Sequence, residues 1–173
     1  MYDSKNNPMF SWSEDLDKAI RSAGGGGNVN AVRGALDIPF ERMLKGECIK
    51  YGDFMSLYPW CMIKTPMCVG EPRVTHYTKD NQPSLDRVKR FFGYIQCDAE
   101  PPRNLFHPVL LRNNDGFLIN SLEPIRNRTH SSVEIQLAIE KGYKIAKVRR
   151  MMEFGSSDSL FKKIYSSIHE DKN

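Results

Sequence analysis

The sequence contains no run of 18 apolar residues, so no membrane-spanning helix is expected. The first ten residues, Met1 to Phe10, are polar and carry no apolar core of signal-peptide length. An intracellular, non-secreted chain is the expectation. Cys48, Cys61, Cys68 and Cys97 form no CxxC pair, and no histidine stands at zinc-finger spacing. A disulfide framework or zinc finger is thereby excluded, and the thiols, with His76 beside Cys61 and Cys68, are read as reduced rather than as ligands. There are no internal repeats, and the only low-complexity tract is Gly24 to Gly27. Charge of one sign is also scarce: the net charge is +4 with a pI near 8.9, which permits a nucleic-acid partner without requiring one.

What is there is an ordinary globular composition, 40% hydrophobic and 27% charged over 173 residues, long enough to bury a core. Leu16, Ala19, Ile20 and Ala23 recur at helical spacing, and Ser11 with Glu14 resembles a capping box, so a helix is predicted over 13–23. The four glycines then stop it; they suit either a flexible linker or close approach of another backbone. Residues 34–46 read as a connector and 70–83 as a polar surface loop. Strands are predicted over 91–97 and 143–148, with a hairpin pairing 108–112 to 117–119 through Asn113-Asn114-Asp115-Gly116. Ser131 and Glu134 make a second capping box, opening a helix with Val133, Leu137 and Ala138 as its stripe and Gly142 at its end. A last helix is predicted from about Asp158.

The most informative stretch is Lys50-Tyr51-Gly52-Asp53-Phe54-Met55-Ser56-Leu57-Tyr58-Pro59-Trp60. Ile49, Tyr51 and Asp53 alternate onto one face of a predicted strand, 47–53, that ends at a carboxylate. Pro59 suits the first turn of a short helix, 58–64, which Thr65-Pro66 terminates. A carboxylate followed by the free amides of a helix start suits a divalent cation carrying phosphates; the alternative is an aspartate that caps a turn. Asp98 and Glu100 are a second candidate carboxylate pair. With Asp53 they would make a metal-dependent nuclease, whereas Pro101-Pro102 favour a solvated bend. Lys144, Lys147, Arg149 and Arg150 form the densest basic patch, read either as phosphate-binding or as a solvated strand face.

Asp53-x-x-Ser56-Leu57-Tyr58-Pro59 resembles motif A of the family B DNA polymerases, in the protein-primed, viral and organellar branch. Arg21-Ser22-Ala23-Gly24-Gly25-Gly26-Gly27 resembles the branch's Gly-Gly string, with Gly26 and Gly27 aligned. There the family's aromatic pair is replaced by Gly24-Gly25 and its following arginine by Asn28. Pro101-Pro102-Arg103-Asn104-Leu105-Phe106-His107-Pro108-Val109-Leu110, the run from Glu134 to Tyr143, and Leu160-Phe161-Lys162 resemble later family segments in the same order.

The resemblance implies an α+β fold with a small antiparallel or mixed palm-type sheet carrying Asp53, with helices on one face. It implies three segments: 1–30, helix and linker; 31–130, partial palm with motif A and the following insertion; 131–173, the end of that insertion leading toward fingers. Asp53 would hold two Mg²⁺ ions with the Phe54 carbonyl. The amides near Ser56 and Leu57 would hold the deoxynucleoside triphosphate, Tyr58 would lie under its sugar, and Gly26 and Gly27 would touch DNA. The implied partners are a DNA primer-template, the triphosphate, a terminal-protein primer and the rest of a polymerase chain.

No Asp-Thr-Asp motif and no Lys-x-x-x-Asn-Ser-x-Tyr-Gly motif occurs, and Asp15-Leu16-Asp17, the sole Asp-x-Asp, reads as first-turn helix charge. The chain is thus expected to be a polymerase fragment inactive alone, with exposed apolar surface. The alternative is a non-catalytic nucleic-acid-binding remnant of a mobile element or virus.

Overall fold

The structure is a computed structural model that describes residues 12–23, 35–114, 117–157 and 160–161. The chain divides into two compact units. One comprises residues 1–28 with 66–157, the other residues 29–65 with 158–173.

In the larger unit, helix α1 (Glu14–Ala23) is the predicted N-terminal helix. Its cap is Ser13, whose Oγ accepts the Leu16 N–H at 3.3 Å; Ser11 lies outside the described residues, as do Gly24 to Gly27. In the smaller unit, α2 (Phe40–Met43) and α3 (Leu57–Lys64) flank the candidate site. The larger unit resumes with β1 (Met67–His76), α4 (Leu85–Arg90) and β2 (Gly93–Glu100). The hairpin β3 (Leu111–Asn114) and β4 (Phe117–Asn120) follows, then β5 (Ile125–Ser131), α5 (Ser132–Glu140) and β6 (Lys144–Ser157).

The architecture is α+β: β1, β6, β2 and β5 lie in that order in a four-stranded sheet, every pairing antiparallel. Central strand β6 explains the packing. Met151 faces a core built with Val88 of α4, Ile95 of β2 and Ile135 and Ala138 of α5. Its neighbour Met152 faces the other way, into a cluster with Ala19 of α1 and Phe154. Adjacent strand residues point to opposite faces, so helices cover both sides of the sheet and not one only. Trp12 and Tyr94 both meet Phe154 edge-on, with ring centroids 5.7 and 5.9 Å away.

Gly93 opens β2, opposite Glu153 of β6. Its φ is +137°, and a Cβ there would lie 2.1 Å from the Met152 carbonyl oxygen. Only glycine fits both the backbone angle and the approach.

Several sequence expectations change in the structure. The first half of residues 70–83, expected as a loop, belongs to β1, while 77–83 lie outside any strand; Gly70 and Pro72 fall within the register break between Val69 and Arg73 on an edge strand, where a missing donor is tolerated. Strand β2 runs through Asp98 and Glu100 rather than ending before them, and β6 extends to Ser157. The α5 capping box forms as expected, with Ser131 Oγ accepting the Glu134 N–H and Glu134 Oε2 accepting the Ser131 N–H. The buried side of α5 is Ile135 and Ala138; Val133 and Leu137, expected in its stripe, are exposed. The helix expected from Asp158 lies almost wholly outside the described residues.

The predicted strand 47–53 is absent: these residues take no ladder partner among the described residues. The four-stranded sheet therefore does not carry Asp53. An extended segment becomes a strand only when a neighbour satisfies its amides and carbonyls, and none does so here.

Candidate functional site

In the smaller unit the chain approaches α3 through Tyr51, Gly52, Asp53, Phe54 and Met55, all exposed. Ser56 then takes the left-handed conformation, φ 58° and ψ 33°, and its carbonyl accepts the Trp60 N–H at 2.9 Å. That turn starts α3 abruptly. The Leu57 and Tyr58 amides precede the first intrahelical bond and are orphan donors by position, while Pro59 has no N–H. The Ser56 hydroxyl makes no capping bond, so it does not compete for them. Asp53 thus stands three residues ahead of a helix start whose amides are open to an anion. Thr65 turns extended before Pro66, ending α3 where expected.

The surroundings are apolar. Phe54, Met55, Leu57 and Trp60 line an open pocket of about 320 Å³, and Tyr58 projects from the helix with 82% of its surface exposed. No residue from 35 to 64 is buried. Large apolar side chains left uncovered in this way mark a contact surface.

The oxygens offered suit a hard divalent ion: the Asp53 carboxylate and, one residue on, the Phe54 carbonyl. No group of three or more His, Cys, Asp or Glu side chains with metal-holding geometry occurs among the described residues. One carboxylate and one neighbouring carbonyl supply only part of the oxygen shell of such an ion. Gly26 and Gly27, the expected DNA contacts, lie outside the described residues.

The second candidate pair is occupied otherwise. Asp98, 8% exposed, receives the Arg149 guanidinium at 2.5 and 3.3 Å and the Asn127 N–H at 2.7 Å. Burial pushes its pKa up, but Arg149 and the Asn127 amide outweigh burial and hold the carboxyl below its ordinary value. Glu100 accepts from Arg126 at 3.0 Å. Each carboxylate answers an arginine, so the nuclease pairing with Asp53 loses its basis. The basic patch is likewise partly structural, since Arg149 is tied to Asp98 and Arg150 to Asp15 of α1. Cys97 is buried, with its thiol pushed up to about 12 mainly by burial, whereas Cys48 is exposed.

Sequence reading missed the network around Asp98. Three register breaks meet there: β2 against β6 between Gln96 and Cys97 and again between Asp98 and Ala99, and β2 against β5 between Cys97 and Ala99. Asn127 sits at the last with φ 51°. Such bulges re-aim groups, here the Arg149 side chain and the Asn127 backbone N–H, toward one carboxylate.

With this geometry in place, the comparisons with known proteins supply the class. The family described as DNA polymerase type B, organellar and viral, matches residues 1–172, and the chain belongs to that family. No curated protein and no solved structure matches it. The described residues contain no helix long and apolar enough to cross a membrane.

Proposed function

We propose that the chain supplies the motif A part of a DNA-directed DNA polymerase, which transfers nucleotides from deoxynucleoside triphosphates to a primer. The observation that carries this reading is the exposed Asp53 carboxylate placed just before the orphan amides of α3, in a chain of the family. In this reading Asp53 and the Phe54 carbonyl hold Mg²⁺, and the amides near Ser56 and Leu57, with those of Leu57 and Tyr58 as the orphan donors, bind the triphosphate. Bound Mg²⁺ would neutralise charge on the phosphates and on the attacking and leaving oxygens. Tyr58 lies under the sugar and excludes a 2′-hydroxyl, and Gly26 and Gly27 contact the template.

A single carboxylate cannot position two ions, so the second comes from a further part of the polymerase. The uncovered apolar residues around α3 suit packing against that part, a burial worth about 25 cal/mol per Å². In the same reading, the larger unit corresponds to the insertion after motif A and contacts the primer and a terminal protein.

The test is Mg²⁺-dependent binding of a deoxynucleoside triphosphate by the chain and by Asp53→Ala. Binding that requires both Mg²⁺ and Asp53 supports the reading. DNA binding without Asp53-dependent triphosphate binding leaves a non-catalytic, nucleic-acid-binding module.

A further inference from the structure

Among the described residues of the larger unit, α1 and its flanking Trp12 cover one end of their sheet face. Tyr94, Met152 and Phe154 lie beneath α1 and its flanking Trp12. Further along the same face the register places Lys147 beside Asp98 and Lys144 beside Glu100. Cross-strand partners share a face, so both lysines stand on the α1 side of the sheet, beyond the helix. Their partners stand two positions apart on β2, which spaces the lysines about 6.8 Å along the strand direction. Both are exposed, as are Arg126 and Asn127 at the edge strand β5.

The charges on this open half are arranged unequally. Asp98 and Glu100 are each engaged by an arginine, Arg149 and Arg126. Lys144 and Lys147 have no ion-pair partner among the described residues. Four cations thus stand against two carboxylates, and the surplus lies on the two solvent-facing ammonium groups. Gln96, whose amide donates to the Asn127 side-chain oxygen at 3.0 Å, adds uncharged hydrogen-bonding capacity beside them. An apolar partner would strand these groups without partners, whereas a phosphate backbone would satisfy them.

We propose that this open half of the sheet, centred on Lys144 and Lys147, contacts the phosphate backbone of the DNA. This contact needs no metal. The inference rests on the reading that the chain handles DNA.

The test measures binding of a primer-template duplex in EDTA as a function of KCl concentration, for the full chain and for Lys144→Gln/Lys147→Gln. Two lost phosphate contacts reduce the slope of log K against log salt by about 2. Lys144→Arg/Lys147→Arg should restore the slope, and Lys89→Gln/Arg90→Gln on α4, across the sheet, should leave it unchanged. Both lysines are exposed, so the melting temperature should not move. An unchanged slope in the Lys144→Gln/Lys147→Gln chain, or an equal loss in the α4 control, overturns the proposal. Asp53→Ala separates this result from the polymerase reading. It should leave the EDTA slope intact while abolishing Mg²⁺-dependent triphosphate binding, so either claim can fail alone.

Discussion

Arg149 meets both carboxylate oxygens of Asp98, at 2.5 and 3.3 Å, where β2 and β6 break register. The pair ties a bulge in the central strand to its neighbour, and the Asn127 amide closes the third side. Asp98→Asn keeps the volume but removes the charge that Arg149 answers. It is expected to cost about 2–3 kcal/mol of stability by urea unfolding. A double-mutant cycle with Arg149→Gln should return much of that loss as coupling; additive losses would contradict the assignment.

Met151 and Met152 are neighbours, both 0% exposed, and they serve different cores. Truncating either to alanine should cost about 2–5 kcal/mol. The losses should be distinguishable by amide hydrogen exchange. Met152→Ala is expected to speed exchange in α1, and Met151→Ala in α4 and α5. The same pattern from both variants would argue against two separately covered faces.

Gly93→Ala should be among the most damaging single changes, because the added methyl meets a backbone oxygen rather than a movable side chain. A loss above about 3 kcal/mol, or failure to fold, is expected from the clash and the left-handed φ together. A stably folded Gly93→Ala chain would show that β2 and β6 do not approach as described.

His130 is buried on β5, its Nε2 has no hydrogen-bond partner among the described residues, and its pKa is lowered to about 4 by burial and then by the charge of Arg128. The unfolded chain takes up this proton near pH 6.5, the folded chain only near 4. Stability contributed by the neutral imidazole is therefore full above about 6.5 and falls as pH drops toward 4, by about 3 kcal/mol in all. Asp98 adds a loss at lower pH, since a carboxyl with a depressed pKa stabilises above its unfolded value and stops doing so once protonated. His130→Leu should flatten urea midpoints between pH 6.5 and 4; an unchanged slope would place the acid sensitivity elsewhere.

Local signals carried the elements whose chemistry is short-range. The Ser131–Glu134 capping box and the stop at Gly142 were legible because each depends on a few consecutive residues; the hairpin was legible in place but not in register, since Asn113 and Asn114, expected in its turn, pair within β3 and residues 108–110, expected in its first strand, lie outside it. Strand β5 was not, since Arg126, Asn127 and Arg128 give it no alternating apolar pattern; it earns its place by pairing with β2 and burying Ile125 and His130. Strand β1 was hidden by Gly70 and Pro72, residues tolerated only because the strand is an edge with a bulge. Arg149 and Arg150 looked like a free basic patch because their carboxylate partners lie 51 and 135 residues away. After Asp53, α3 formed nearly as expected, but the strand before it did not, because a strand depends on a ladder partner that its own residues do not specify.

The central claim is that the Asp53 loop and the first turn of α3 bind a metal–triphosphate. Nuclear magnetic resonance with a Mn²⁺–deoxynucleoside triphosphate complex tests it most directly, because the paramagnetic ion broadens only nearby amides. The account predicts broadening centred on Asp53 to Tyr58 in the wild-type chain and its loss in Asp53→Ala. Broadening that centres elsewhere, or that persists without the Asp53 carboxylate, would contradict it.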